Sequence, residues 1–511
     1  MSDLPRELAL HKEEIEKIAS NYGLDFYTTI FEIVDYDVMN QLASYGGFPT
    51  RYPHWSFGME YERLSKSHHY GLSKIYEMVI NNDPVVAYLM RGNSLMDQKL
   101  VMAHVYGHAD FFKNNAYFGT TNRKAIDMMA NHAVQIRRFV ENIGAERVES
   151  FIDLCLTIDN LIDPRANFPV ESAQEASAYD VDPSRLPVAK LKAKDYMEKY
   201  INPPEFLAEQ RKKLLQEHEE KRKIPQRPVQ DVLAFLIQYA PLENWEREVL
   251  SIIREEAYYF LPQAQTKIMN EGWASYWHST IMTKHKLEDS EIVDYANSHA
   301  GTMSMAGGRF NPYKIGIELF RHIEERWDMG RFGTDYDNCE NIAEKKAWNK
   351  ETNLGRKKIF EVRKVYNDLM FIDEFLTPEF CQEHKLFTFA LNPKSNEYEI
   401  ASREFEKIKQ QLLFQLTNRG SPFIFVVDGN YQNRGELYLW HRFEGAELKL
   451  ATAKESLKTL FHCWRRPVHI QTQLQDQFKL LSFDGKELSE KNLPKEEAYT
   501  DGWGRETEVP D

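Results

Sequence analysis

Two stretches of this chain put ionisable side chains in the middle of apolar helical stripes, and any fold must give those groups a partner. In the first, Leu100, Val101, His104, Val105, His108, Phe111 and Phe112 recur at helical spacing. Two histidines four residues apart on a helix point the same way, so both imidazoles can reach one ion. In the second, Ile268, Glu271, Ser275, His278 and Met282 form a single stripe at three- and four-residue steps. Burying Glu271 alone would be costly. A metal held between the two helices would satisfy His104, His108, Glu271 and His278 together, and these ligand types fit a zinc-like site. The plainer alternative is a set of core histidines bonded to backbone, with Glu271 paired to one of them. His299 ends a helix before a Gly/Met-rich loop at 300–310 and is an additional candidate ligand.

Composition narrows the function classes. The chain has 511 residues, enough for several domains and a large core. Its 42% hydrophobic and 13% aromatic content is that of a folded globular protein. A net charge of −14 argues against general binding to nucleic acid or to anionic membrane surfaces. No apolar run approaches the length of a membrane span, and the N-terminus has no basic region followed by an apolar one, so a cytoplasmic protein is expected. Cys155, Cys339, Cys381 and Cys463 are far apart and read as free thiols. There is no nucleotide-binding glycine fingerprint, Walker motif or tandem repeat.

The periodicity predicts a mainly α protein with a small α+β C-terminal domain. Helices are expected at about 6–24, 26–45, 58–67, 94–115, 122–143 and 145–162, with short strands on either side of Asn81-Asn82-Asp83-Pro84. Residues 1–164 then form a helical N-terminal part carrying the first histidine pair. Residues 165–228 are rich in Pro, Lys, Glu, Arg and Gln and read as a charged arm or insertion, a surface through which a protein partner could dock. Residues 229–385 form a second helical part with the Glu271 helix, and Asn311-Pro312-Tyr313 opens a further helix. From 386 to 511 the pattern turns to strands at 423–427, 436–440, 468–471 and 479–483, with a hairpin-type turn at Asp484-Gly485.

The runs Tyr52-Pro53-His54-Trp55-Ser56-Phe57-Gly58, His104 to His108 continuing into Phe111-Phe112-Lys113-Asn114-Asn115, Met269 to His278, and Asn311-Pro312-Tyr313 resemble the stage V sporulation protein R (SpoVR) family over nearly the whole length. That resemblance implies a role in forming the spore cortex, a modified peptidoglycan, and a stress role in bacteria that make no spores. A more local likeness bears on chemistry. Asn270-Glu271-Gly272-Trp273-Ala274-Ser275-Tyr276 is similar to the N-E-G-F-A-S-Y stretch of gluzincin aminopeptidases, whose Glu is the third zinc ligand after two histidines of an H-E-x-x-H helix. By that likeness His104 and His108 match the histidines, Glu271 matches the third ligand, and the core is gluzincin-like. Position 105 is Val, however, so the general base of those peptidases is missing.

Two role assignments follow. In one, His104, His108 and Glu271 bind Zn2+ and His278 transfers a proton or stabilises developing negative charge. In the other, His104, His108 and His278 bind the metal and Glu271 is the base. Either leaves an open coordination position and suits zinc-dependent hydrolysis of an amide, with a peptide or peptidoglycan-related substrate. The alternative from another class is a non-catalytic regulatory or scaffold protein with a structural metal or none. A cleft lined by Trp55, Asn115 and Trp273 would favour the enzyme.

Overall fold

The computed structural model describes residues 4–69, 77–166, 197–222, 224–304, 310–392 and 397–500. The fold is mainly helical, with a small sheet region near the C-terminus. Its two compact units interleave along the chain: Met1–Glu149 with Tyr258–Gly420, and Ser150–Ala257 with Ser421–Asp511. The sequence divisions above are consecutive blocks; these units are not.

The first unit is built on three helices. Leu95–Asn114, the histidine helix, starts where the Ser94 hydroxyl accepts the Asp97 N–H at 3.1 Å. From Val101 to Phe112 every side chain is buried, the mark of a helix enclosed on all sides. Lys267–Ile281, the glutamate helix, packs against it and also against Pro312–Asp328. This last helix opens as the Asn-Pro-Tyr signal predicts, with the Asn311 side chain accepting the Tyr313 N–H at 2.9 Å and Pro312 in the first turn. The glutamate helix has no side-chain cap of its own. The carboxylate of Asp368, one hundred residues on in sequence, accepts the N–H groups of Ile268 and Met269 at 2.8 and 2.9 Å. Burial raises the Asp368 carboxyl to about 7 even though both N–H bonds favour the charged form.

Glycine sets how closely these helices approach. A Cβ on Gly107 would lie 2.6 Å from Ala274 Cα, so the backbones of the histidine and glutamate helices come together beside His108. A Cβ on Gly272 would lie 2.4 Å from Gly316 Cα, and one on Gly316 would lie 2.2 Å from the Ile268 carbonyl oxygen. The backbones of the glutamate helix and of Pro312–Asp328 therefore meet directly.

One expected helix is a helix only in its second half and a strand before it. Residues 26–45 contain the strand Thr29–Val34 followed by the helix Tyr36–Ser44. Thr29, Ile30, Ile33 and Val34 are β-branched and favour the extended chain, and a partner far along the sequence completes the pairing. That partner is Val85–Met90, the centre of a three-stranded sheet, parallel to Thr29–Val34 and antiparallel to Glu77–Ile80. Residues 386–420 group with the first unit because Leu386, Ile408 and Leu412 lie in its core.

The second unit contains a five-stranded sheet in the order Leu488–Asn492, Gln477–Phe483, Val468–Leu474, Glu436–Arg442, Phe423–Tyr431. All neighbours are antiparallel except Glu436–Arg442 and Val468–Leu474. The expected turn at Asp484-Gly485 joins two of these strands, the second of which (Leu488–Asn492) the sequence reading passed over because all its residues are exposed and polar or charged but Leu488. Of the 165–228 arm, residues 167–196 and 223 lie outside the described residues; Pro204–Arg222 is a helix, in keeping with its charge pattern. No helix among the described residues is long and apolar enough to cross a membrane. The four cysteines are free, as expected.

Candidate metal centre

His104 and His108 project from adjacent turns of the histidine helix towards Glu271 on the glutamate helix. Each Nε2 lies 3.5 Å from Glu271 Oε2. Three donor atoms, one from each residue, fall within 4.8 Å of one another, and this is the one such group among the described residues. A separation of 3.5 Å is too long for a good N–H···O hydrogen bond. It is close to the roughly 3.3 Å edge of a tetrahedron with metal–ligand bonds of about 2.0 Å. Glu271 Oε2 is buried and makes no hydrogen bond. Burial pushes the Glu271 carboxyl up, but the two imidazoles outweigh it and the net displacement is well down, so the group is a carboxylate. A buried anion between two nitrogen donors, with a free oxygen lone pair, suits a cation.

The outer nitrogens of both rings are tied. His108 Nδ1 lies 2.9 Å from Asn270 Oδ1, an acceptor, so the proton sits on Nδ1 and the Nε2 lone pair faces Glu271. His104 Nδ1 lies 2.8 Å from His278 Nδ1. For His104 to present a lone pair at Nε2, its Nδ1–H donates to His278, which then carries its own proton on Nε2. His278 suits that neutral form: burial, and then the neighbouring His104, hold its pKa well below the ordinary range. The His108 ring stacks on Phe112 with centroids 6.0 Å apart, and the His104 ring lies beside Tyr313 at 6.3 Å.

The structure thus brings together His104, His108 and Glu271, and places His278 behind His104, outside the donor group. His299 is further out: its ring is 5.9 Å from His278 and stacks on Tyr295 at 5.6 Å. Val105 is fully buried in the core. Asn270 and Tyr313 were not singled out for the site by sequence reasoning. The signal for Asn270 was an amide directly before Glu271 in a buried helix; for Tyr313 it was the Asn-Pro-Tyr run, read only as a helix start.

The residues proposed to line a cleft do other work. Trp55 is largely exposed. Asn115 is buried and donates to the carbonyls of Arg363 and Tyr366 at 2.8 and 3.0 Å. The Trp273 indole donates to Asp110 Oδ2 at 2.8 Å. Asp110 is completely buried and pairs with Arg363 at 3.1 Å.

The two ring ties lead to a measurable expectation. Replacing Asn270 by Leu removes the acceptor that orients His108, and metal affinity should fall about 10- to 100-fold with the fold retained. Titration of the apoprotein with zinc by calorimetry reads this directly; unchanged affinity would show that Asn270 does not hold the ring.

A family model described as SpoVR like protein matches residues 3–421. The "Uncharacterized protein YcgB" of Escherichia coli (strain K12) is 30% identical over 507 residues, covering 92% of this chain and 92% of its own length. No solved structure matches. The matched residues contain the whole histidine–glutamate cluster and the helices that carry it, and on that footing the chain belongs to the SpoVR-like family.

Proposed function

We propose that His104, His108 and Glu271 hold a divalent ion, zinc by the character of the donors, and that the chain hydrolyses an amide bond of a peptide or a peptidoglycan fragment, in spore-cortex or stress physiology. The observation that carries this reading is the pair of 3.5 Å separations between one orphaned carboxylate oxygen and two imidazole nitrogens. When bound, such an ion supplies Lewis acidity for activating a carbonyl. Of the two role assignments, the geometry favours Glu271 as a donor over Glu271 as a base, because its oxygen faces both histidines equally. His278 is then a positioning residue: it holds His104 and sets which nitrogen carries the proton. The gluzincin-like character of the core belongs to this proposal and rests on the shared ligand types. The 165–228 arm supplies none of the three donor atoms.

A second reading has its own observation. Val105 occupies the position of the missing base and is sealed in the core, which favours a scaffold protein with a structural ion.

Metal content separates the possibilities. Mass spectrometry of untagged protein should find about one zinc per chain, lost in Glu271→Gln. Retention in the variant would return Glu271 to the base role, and no metal after reconstitution would sink the reading. With cobalt in place of zinc, a shift of the visible spectrum on adding a hydroxamate would show an open position and favour the hydrolase. An unmoved spectrum would favour the scaffold.

A further inference from the structure

The sheet of the second unit carries a different constellation, in a region beyond the residues that the family model matches. Residues paired across neighbouring strands share a face. Tyr438 pairs with His469, His469 with Ser482, Ser482 with Ser489, and Leu480 with Lys491. This face points away from the helix Leu450–Trp464, whose Phe461 meets Phe483, the neighbour of Ser482 on the opposite side of the sheet.

On that face His469 Nδ1 lies 2.7 Å from Ser482 Oγ, and His469 Nε2 lies 2.9 Å from Glu436 Oε2. Glu436 is itself gripped by Arg434, whose Nε and Nη2 donate to its two oxygens at 2.6 and 2.7 Å. An ionised carboxylate only accepts, so Nε2–H donates to Glu436 and the lone pair sits on Nδ1, aimed at the serine hydroxyl. His469 and Glu436 are buried, whereas Ser482 is half-buried and Lys491 is exposed. Burial holds the imidazole below its ordinary range against the pull of Glu436, and Arg434 and Lys491 add to the depression. A neutral base is thus fixed against the hydroxyl of a half-buried serine. Leu480 lies two residues from Ser482 on the same face, and the Tyr431 ring is 5.2 Å from His469, so an aliphatic and an aromatic side chain share this face with Ser489 and Lys491.

We propose that Ser482, His469 and Glu436 form an acyl-transfer centre that takes a short, apolar carboxylic ester. Ser482 Oγ bonds to the acyl carbon while its proton passes to His469 Nδ1. The bond to the leaving alcohol then breaks, and the alkoxide oxygen takes that proton from Nδ1. Water, giving a proton to the same nitrogen, cleaves the serine ester, returning the free hydroxyl and releasing the carboxylic acid. Glu436 holds the ring and faces the positive charge it gains, and the Lys491 ammonium supplies a positive field for the oxyanion. The centre shares no residue with the metal site.

The test uses the full chain in the presence of EDTA, with an alkyl fluorophosphonate as probe and p-nitrophenyl butyrate as substrate. One phosphonyl adduct is expected, mapping to Ser482 and absent from Ser482→Ala, with ester hydrolysis in that variant falling about 100-fold. An adduct elsewhere, no adduct, or undiminished hydrolysis by Ser482→Ala overturns the proposal and leaves the three residues as a cross-strand tie. Ser482→Cys provides a reading that does not depend on Ser482→Ala folding. Its thiol should be alkylated by iodoacetamide about tenfold faster than the partly exposed Cys339; equal rates count against the centre.

Discussion

Arg363→Met should destabilise the protein by about 3–5 kcal/mol, the cost of stranding one member of a buried ion pair. Asp110 is fully buried and Arg363 nearly so, and they meet at 3.1 Å. The carboxylate also takes the Trp273 indole N–H and the Asp25 backbone N–H, each at 2.8 Å. Without the guanidinium those two hydrogen bonds remain, but the charge has no counter-ion. The effect depends on pH with a definite sign. Burial already raises the Asp110 carboxyl to about 6, with Arg363 opposing the rise. A carboxyl whose folded pKa lies above its unfolded value favours the folded state in its protonated form, and stability falls as pH rises through the interval between the two. Removing Arg363 moves the folded value higher still, so the penalty should be smallest below about pH 6 and grow above it. Urea denaturation at pH 5 and pH 8 checks this; a loss equal at both would show that Asp110 does not change its protonation state between them.

Gly272→Ala is the second large effect. The added Cβ would sit 2.4 Å from the Cα and carbonyl carbon of Gly316, and both obstacles are backbone, so no side-chain rotation relieves the clash. The helices must separate, and a loss of about 3 kcal/mol, the upper end for overpacking, is expected by thermal or urea unfolding. Because Glu271 is the adjacent residue, separation also moves its carboxylate relative to His104 and His108, and zinc binding should weaken in the same variant. Gly58→Ala is the matched control. Gly58 also lies in a helix, Trp55–His69, but nothing lies within 4 Å of its would-be Cβ. There the change should raise stability by up to about 1 kcal/mol through helix propensity. If Gly272→Ala were as well tolerated as the control, the two helices would not meet as closely as the structure has them.

These two sites show where local reasoning reached and where it stopped. Gly107 lies inside an apolar helical pattern, and its cost to the helix predicts close approach of another group; the group is Ala274. That Gly272 faces Gly316 had no such signal, since pairing two glycines requires knowing which helices cross. The i, i+4 spacing of His104 and His108 and the stripe carrying Glu271 were legible because helical periodicity is a local property. His278 is on the same stripe as Glu271, yet two further turns of helix carry it past the donor group, to the Nδ1 of His104. A stripe specifies direction around the helix axis and leaves distance along it to the packing.

The same limit explains the strand at Thr29–Val34. Its β-branched residues fit a strand, but a strand is stable only with a neighbour, and Val85–Met90 lies more than fifty residues on. Asp368 as the cap of the glutamate helix, Arg363 beneath Asp110, and the Ser482–His469–Glu436 chain are of the same kind. Each is a contact between residues whose separate neighbourhoods are ordinary. What the sequence alone determined was the helical majority, the histidine pair, the Glu271 stripe and the family, because periodicity and motif are written in consecutive residues. Tertiary structure alone decided which three groups share one centre, which histidine stands behind them, and which buried charges are paired. Burial in a particular place, next to a particular remote residue, is what gives those groups their partners and their pKa values.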